Sequence, residues 1–215
     1  AGSANFSDIG ATIASHKAIE TTCLQSTIIE NFQDEKLLRL LIIEAFESAL
    51  TAIESESISL GTAIRELATT LLLVIATPYM LAVGQIGDGA VVAANKFGEI
   101  FTAIIPQKGE YANETNFLLY PISLDTIQIQ IFQKHIDHIA IFSDGLQSVA
   151  LKMPEYTPHV PFFNPLFNFI SNNKDKADMD SQIAEFLRSN RIRERTDDDL
   201  TLLIATYKGN KISSK

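Results

Sequence analysis

The sequence is poor in cysteine, in positive charge and in uninterrupted apolar runs. Its single cysteine, Cys23, excludes an intrachain disulfide, and no charged leader with a small-residue cleavage site is visible, so we expect a reducing, cytoplasmic setting. Cys23 lies in a helical stretch with no histidine beside it, so we expect it to be a buried filler residue of the core rather than a catalytic residue. The longest apolar stretch, residues 67–83, is interrupted by Thr69, Thr70 and Pro78, and bilayer spans need about 20 apolar residues. We therefore predict no membrane contact.

Basic residues are outnumbered, with 17 Lys and Arg against 26 Asp and Glu, a net charge of −9. No basic stripe is present that could displace counterions from a nucleic acid, so a nucleic-acid partner is excluded. An acidic protein that handles phosphate usually needs a metal ion as its positive pole.

The length of 215 residues, with 46% hydrophobic and 20% charged residues, suits one globular domain. We predict a single domain over residues 1–207 and a tail over 208–215.

Periodicity and turn signals predict helices first, then antiparallel strands, then helices and a closing strand. The first helix, 7–32, begins at Ser7 or Asp8, and the second, 33–58, at Asp34; the two should pack side by side. Strands are predicted at 69–75, 79–86, 90–94, 99–104, 117–120, 127–131, 136–142 and 200–207, and later helices at 162–170 and 180–188. Short connections indicate an antiparallel meander from residue 69 to 104, with a hairpin at Gly87-Asp88-Gly89. This order is typical of an α+β fold in which helices cover a sheet or sandwich.

Three acidic motifs lie at the ends of predicted buried strands. The apolar run 139–149 stops at Asp144-Gly145, Asp88 lies in the predicted hairpin, and Asp197 to Asp199 open the last strand. Singly, each motif is typical of a turn or a solvated loop. Together they are more informative, because antiparallel neighbours would bring Asp144 and Asp198 to one sheet edge. Mg²⁺ and Mn²⁺ prefer a few carboxylates with water in the remaining positions.

The motifs IGDGAVV, FSDGL and DDLTLLIA, in this order, resemble those of the metal-dependent protein phosphatases of type 2C (the PPM family). PFFNPLF and RTDDDLTLLIA resemble a bacterial branch of that family. Asp144 matches the family's SDG aspartate, and Asp198 the aspartate three residues before the strand threonine. Asp199 stands where the family has Asn, so which of Asp197, Asp198 and Asp199 is a ligand stays open.

The resemblance implies a β-sandwich of two antiparallel sheets flanked by pairs of helices (αββα). It also implies metal-dependent hydrolysis of phosphoserine and phosphothreonine in proteins by a metal-activated water. Two Mg²⁺ or Mn²⁺ ions are implied, with Asp144 and Asp198 as ligands of the first, and Asp88 with Asp144 as ligands of a third, looser ion. No catalytic residue is expected beyond the metal ligands. The partner implied is a phosphorylated protein, such as the target of a cognate Ser/Thr kinase in bacterial signalling.

Two alternatives remain open from the sequence. The chain lacks an initiator Met, and the family's metal-bridging aspartate would lie just before Ala1, so we expect an N-terminally shortened chain that is inactive or nearly so. A catalytically inactive phosphatase-like domain that binds a phosphoprotein or regulatory partner is the second hypothesis, and a structural domain that binds a divalent ion is the third.

Other charged and aromatic groups have simpler interpretations. Arg191, Arg193 and Arg195 could bind a substrate phosphate, although pairing with Asp197 or Asp199 is favoured. The aromatic segment is interpreted as core, with an exposed docking patch as the alternative; its residues are Phe162, Phe163, Phe167 and Phe169.

Overall fold

The computed structural model describes residues 4–27, 32–107, 116–119 and 126–208. The chain divides into two compact units. Unit 1 consists of Ala1–Asp88 and Pro106–Lys134, and unit 2 consists of Gly89–Ile105 and His135–Lys215. The single domain over residues 1–207 stays a prediction, and most of the predicted tail lies outside the described residues.

The chain alternates between helical and extended segments in the predicted order. The α-helices are α1 (Ser7–Ser26), α2 (Glu35–Ser59), α3 (Gln147–Ala150), α4 (Val160–Asn172), α5 (Lys176–Arg188) and α6 (Asn190–Arg193). The strands are β1 (Leu71–Ala76), β2 (Leu81–Ile86), β3 (Ala90–Asn95), β4 (Ile100–Ile104), β5 (Gln128–Phe132), β6 (Ile136–Phe142), β7 (Leu151–Lys152), β8 (Thr157–Pro158) and β9 (Leu202–Thr206).

Helix α2 follows its sequence signals closely. The Asp34 carboxylate accepts hydrogen bonds from the Lys36 and Leu37 N–H groups, as an N-cap does. The predicted apolar stripe is buried throughout; it consists of Leu38, Ile42, Ala45, Ala49 and Ile53. Helices α1 and α2 pack against each other, as predicted.

Helix α1 differs from its prediction at its N-terminus and on one face. Phe6 occupies the N-cap without a side-chain hydrogen bond, so neither Ser7 nor Asp8 caps the helix. Cys23 is exposed, which makes its interpretation as buried filler wrong. The face that packs inward instead carries small residues, among them Gly10 and Ala14.

In unit 1, β1, β2 and β5 form an antiparallel sheet in the order β1-β2-β5. Helix α2 lies against it, and Gly84 in β2 permits the close approach. A Cβ atom built on Gly84 would meet the side chains of Ile42 and Phe46.

In unit 2, four strands form an antiparallel sheet in the order β4-β3-β6-β9. Strand β6 lies between β3 and β9, and its Asp137, His138 and Ile141 are half-buried while its other residues are buried. Phe162, Phe163 and Phe167 of α4 are at most 7% exposed and belong to the core of this unit, whereas Phe169 is half-buried.

Two predictions about strands are wrong. Strands β2 and β3 do not pair, because β2 lies between β1 and β5 while β3 lies between β4 and β6. The Gly87-Asp88-Gly89 segment is therefore a crossing from one sheet to the other rather than a hairpin turn, and the predicted meander is broken there. Residues 116–119 form no strand; Leu118 contributes a single N–H bond to the Thr69 carbonyl.

The α+β class, with antiparallel sheets and helices, is confirmed. Among the helices within the described ranges, none is long and apolar enough to cross a membrane.

Candidate metal centre

Asp144 and the acidic triplet lie at the same edge of the unit 2 sheet. Strands β6 and β9 pair antiparallel, with Phe142 opposite Leu202. Strand β6 ends one residue before Ser143, and β9 begins shortly after Asp199. The predicted antiparallel pairing of β6 and β9 is confirmed. It places Asp144 and the acidic triplet at the same edge of the sheet.

Gly145 packs directly onto the acidic triplet. A Cβ atom at this position would collide with the carbonyl oxygen of Asp199 and lie 3.2 Å from the Cβ of Asp198. Only a residue without a side chain permits this approach. Of the three acids, Asp198 is the one whose side chain begins beside the Asp144-Gly145 step.

Ser143 ties the two segments together. Its hydroxyl donates to the Asp199 carbonyl oxygen at 3.2 Å and accepts from the Thr201 N–H at 3.1 Å. The Ser143 N–H also donates to the Thr201 carbonyl oxygen at 3.2 Å. Ser143 therefore fixes the acidic turn relative to the end of β6.

Both carboxylates are oriented by short local hydrogen bonds. The Asp144 Oδ1 accepts from the Gly145 N–H at 3.0 Å, and the Asp198 Oδ1 accepts from the Asp199 N–H at 2.8 Å. Both residues are exposed, so a hydrated ion can reach them.

The basic residues beside the triplet do not behave as predicted. Within the described ranges, no ion pair joins Arg191, Arg193 or Arg195 to Asp197 or Asp199. Arg193 Nη1 instead donates to the backbone carbonyl of Asp198 at 3.4 Å. The exposed carboxylates are solvated, and surface pairs of this kind contribute little, so the pairing has little driving force.

Asp88, which belongs to unit 1, lies in a turn held by two glutamine side chains. Gln85 is fully buried, and its amide donates to the Gly87 carbonyl oxygen at 2.7 Å. Gln107 Oε1 accepts from the Gly87 N–H at 2.8 Å, while its Nε2 donates to the Thr126 carbonyl oxygen at 2.9 Å. Asp88 itself is half-buried. Its role as a ligand of a third ion stays a prediction.

The donor set fits one weakly held hard cation. Among the described residues, no group of three or more His, Cys, Asp or Glu side chains is arranged to hold a metal. Two carboxylates are nevertheless sufficient for Mg²⁺, which keeps several waters and is often bound through one or two carboxylates. Asp144 and Asp198 are two carboxylates on segments that contact each other at Gly145, and their role as ligands stays a prediction.

Ser143, Gln85 and Gln107 were not predicted from the sequence. Ser143 precedes Asp144 directly, and a hydroxyl next to an acidic strand end is a signal that could have found it. Gln107 is distant in sequence from Gly87, and no local pattern indicates its contact.

Comparison with known proteins identifies the family of the chain. The family described as Protein phosphatase 2C matches residues 1–188. Serine/threonine-protein phosphatase 3 of Escherichia coli K12 is 36% identical over 147 residues, which are 67% of this chain and 58% of that protein. The chain thus matches less than two thirds of that relative.

Solved structures share the fold at low identity. A bacterial serine phosphatase superposes with a TM-score of 0.60 at 12% identity, covering 99% of this chain and 85% of that one. The catalytic domain of the serine/threonine phosphatase PstP, solved with two manganese ions, gives a TM-score of 0.56 at 15% identity, with coverage of 91% and 80%. Matched over residues 1–188 of its 215, the chain belongs to the protein phosphatase 2C family.

Proposed function

We propose that this protein hydrolyses phosphoserine and phosphothreonine in other proteins, in a reaction that depends on Mg²⁺ or Mn²⁺. The observation that carries the proposal is the packing of Gly145 on Asp198 and Asp199, which supports the assignment by placing the Asp198 segment beside the Asp144-Gly145 step, and both acids are exposed. Membership of the protein phosphatase 2C family and the similarity to the E. coli serine/threonine phosphatase support it.

Asp144 and Asp198 would hold the ion. A bound divalent ion lowers the pKa of its water and neutralises phosphoryl oxygens, and this is the chemistry that it would supply here. The chain's own contribution is positioning: Ser143 fixes the acidic turn, and the Gly145 and Asp199 N–H groups each orient one carboxylate. A fixed pair of ligands loses less entropy when an ion binds than a mobile pair would.

Finer parts of the proposal rest on the family resemblance. They are a count of two ions with a third near Asp88, a phosphoprotein substrate that a Ser/Thr kinase generates, and a cytoplasmic setting. The net charge of −9 agrees with an ion as the positive pole of the site, because a phosphorylated substrate would otherwise be repelled.

The test is phosphate release from a phosphothreonine peptide and from p-nitrophenyl phosphate. The protein is prepared with any residues that its gene encodes before Ala1, and is assayed with Mn²⁺, with Mg²⁺ and with EDTA. We expect activity only with the ions. Asp144→Asn should lower kcat/KM at least about a hundredfold, since even outer-shell partners of a metal contribute 10–100-fold.

Asp180→Asn, an exposed acid on α5, is the matched control and should retain activity. Full activity of Asp144→Asn, or equal activity in EDTA, would refute the proposal. Peptide binding with Mn²⁺ but no phosphate release would support the non-catalytic binding domain instead.

A further inference from the structure

A cavity of about 270 Å³ opens in unit 2 between α4, α5 and α6. Its walls are mainly apolar and include Phe162, Leu166, Phe169, Ile183, Phe186 and Ile192. This volume is close to the lower end of the range of about 300–1,000 Å³ that is usual for small-molecule sites. None of its lining residues is an Asp or a Glu, so Asp144 and the acidic triplet are not part of the lining.

The polar groups of the lining are mainly cationic or neutral. Arg191 and Arg195 both line the cavity, together with His159 and Gln182. Among the described residues, neither arginine has an acidic partner within salt-bridge distance. Two guanidinium groups without such a partner, in a protein with a net charge of −9, attract an anion to this particular place.

The hydrogen bonds near the cavity do not neutralise the positive charge of Arg191 and Arg195. Glu185 and Glu194 are adjacent in sequence to the lining residues Phe186 and Arg195, but neither lines the cavity, and the Asp178 carboxylate accepts from the Gln182 amide at 2.8 Å. Ser148 donates to the Arg195 backbone carbonyl at 3.2 Å, which fixes the main chain of Arg195 and leaves its side chain available.

We propose that this cavity binds a small amphipathic anion. The ligand has a ring system or a short aliphatic chain, which lies between α4 and α5, and one carboxylate, sulfonate or phosphate group, which contacts Arg191 and Arg195. The apolar walls supply affinity by removing the ligand body from water, and the two arginines select for negative charge. The volume suits a single small molecule rather than a length of extended peptide.

Two fluorescent probes separate the apolar contribution from the charge contribution. 1-Anilinonaphthalene-8-sulfonate has an apolar ring system with one sulfonate, and N-phenyl-1-naphthylamine has the same rings without it. Each is titrated into the folded protein, with circular dichroism as the check of folding. We expect the anionic probe to bind more tightly, and decanoate to displace it at concentrations at which decanol does not.

The variants test the arginines and the apolar lining of the cavity separately. Arg191→Gln combined with Arg195→Gln should weaken the sulfonate probe about tenfold and change the neutral probe less than about twofold. Arg188→Gln, an exposed arginine of α5 outside the lining, should change neither probe. Ile183→Phe, which fills the cavity, should weaken both.

Equal binding of the sulfonate probe to the double arginine variant would overturn the assignment of an anion. Unchanged binding of both probes to Ile183→Phe would overturn the cavity as their site. Tighter competition by an acidic phenylalanine-containing peptide than by decanoate would overturn the small-molecule class. None of these titrations needs a divalent ion or phosphatase activity, so their outcome is independent of the proposed function.

Discussion

The two turns that present candidate ligands are held by different means. In unit 1 the Gly87-Asp88 turn is fixed by buried or half-buried amide side chains, and Gly87 itself has a φ of +121°. In unit 2 the hydroxyl and the N–H of Ser143 both bond to the Asp199–Thr201 segment, and the Asp144 and Asp198 carboxylates are exposed.

This difference separates two ways of positioning an acid. The unit 1 turn is determined by backbone conformation and buried hydrogen bonds, so changes to it should act mainly on stability. The unit 2 turns depend on a close contact at Gly145 and on surface hydrogen bonds, so changes there should act more on ion binding than on folding. The following predictions run from the largest expected effect on stability to the smallest.

Gly87→Ala should cost about 3 kcal/mol of unfolding free energy. An alanine is strained at the φ of +121°, and its Cβ would overlap the Thr70 side chain. Gly98→Ala is the control: its φ is +79° with no atom within 4 Å of the added Cβ, so a cost of about 1 kcal/mol is expected. Urea denaturation of both variants measures the difference, and equal costs would contradict a closely packed turn.

Gln107→Ala should cost about 2 kcal/mol, because it removes the acceptor of the Gly87 N–H and the donor to the Thr126 carbonyl. Gln130→Ala, an exposed glutamine of β5, should stay within about 0.5 kcal/mol of the parent protein. A loss at Gln107 no larger than that at Gln130 would show that the amide does not hold the turn.

Ser143→Ala should cost about 1 kcal/mol and weaken Mn²⁺ binding about tenfold, since it removes both side-chain hydrogen bonds between the end of β6 and the acidic segment. Ser171→Ala removes a hydroxyl that donates to the Phe167 carbonyl within α4, and should leave Mn²⁺ binding unchanged. Denaturation and calorimetric titration report the two effects, and unchanged Mn²⁺ affinity in Ser143→Ala would remove its positioning role.

His138 should give the smallest effect, seen only as pH is lowered. Burial lowers the pKa of His138 below 6.5, and the neighbouring Asp137 partly opposes this shift. Because the unfolded chain then binds the proton more readily, stability should fall as pH drops through 6.5 towards the lowered folded-state pKa. His138→Asn should flatten this part of the pH profile, whereas a change at the exposed His16 should not. An equal slope in the His138 variant would contradict the shift.

The sequence predicted the features that depend on local pattern. The apolar stripe of α2 and its Asp34 cap were predictable because helical spacing and capping are properties of neighbouring residues. The pairing of β6 with β9 was predictable because each strand carries an acid at the end that antiparallel pairing brings together.

Features that depend on contacts distant in sequence were not predictable. An Asp-Gly pair between two apolar runs predicts a hairpin, but β2 pairs instead with β5, about forty residues further along the chain. The expected pairing of the Arg191 to Arg195 segment with the acidic triplet failed for a related reason, since sequence proximity does not fix side-chain direction. The cavity between α4 and α5 likewise results from how aromatic side chains pack, which composition alone does not determine.

The most direct test of the central claim is the binding of Mn²⁺ itself, measured by calorimetry for the parent protein and for single Asp→Asn variants. We predict that Asp144→Asn and Asp198→Asn each weaken binding at least about tenfold, while Asp197→Asn changes it less than about twofold. Parent-like affinity in both Asp144→Asn and Asp198→Asn would contradict the assignment of these two carboxylates as the metal ligands.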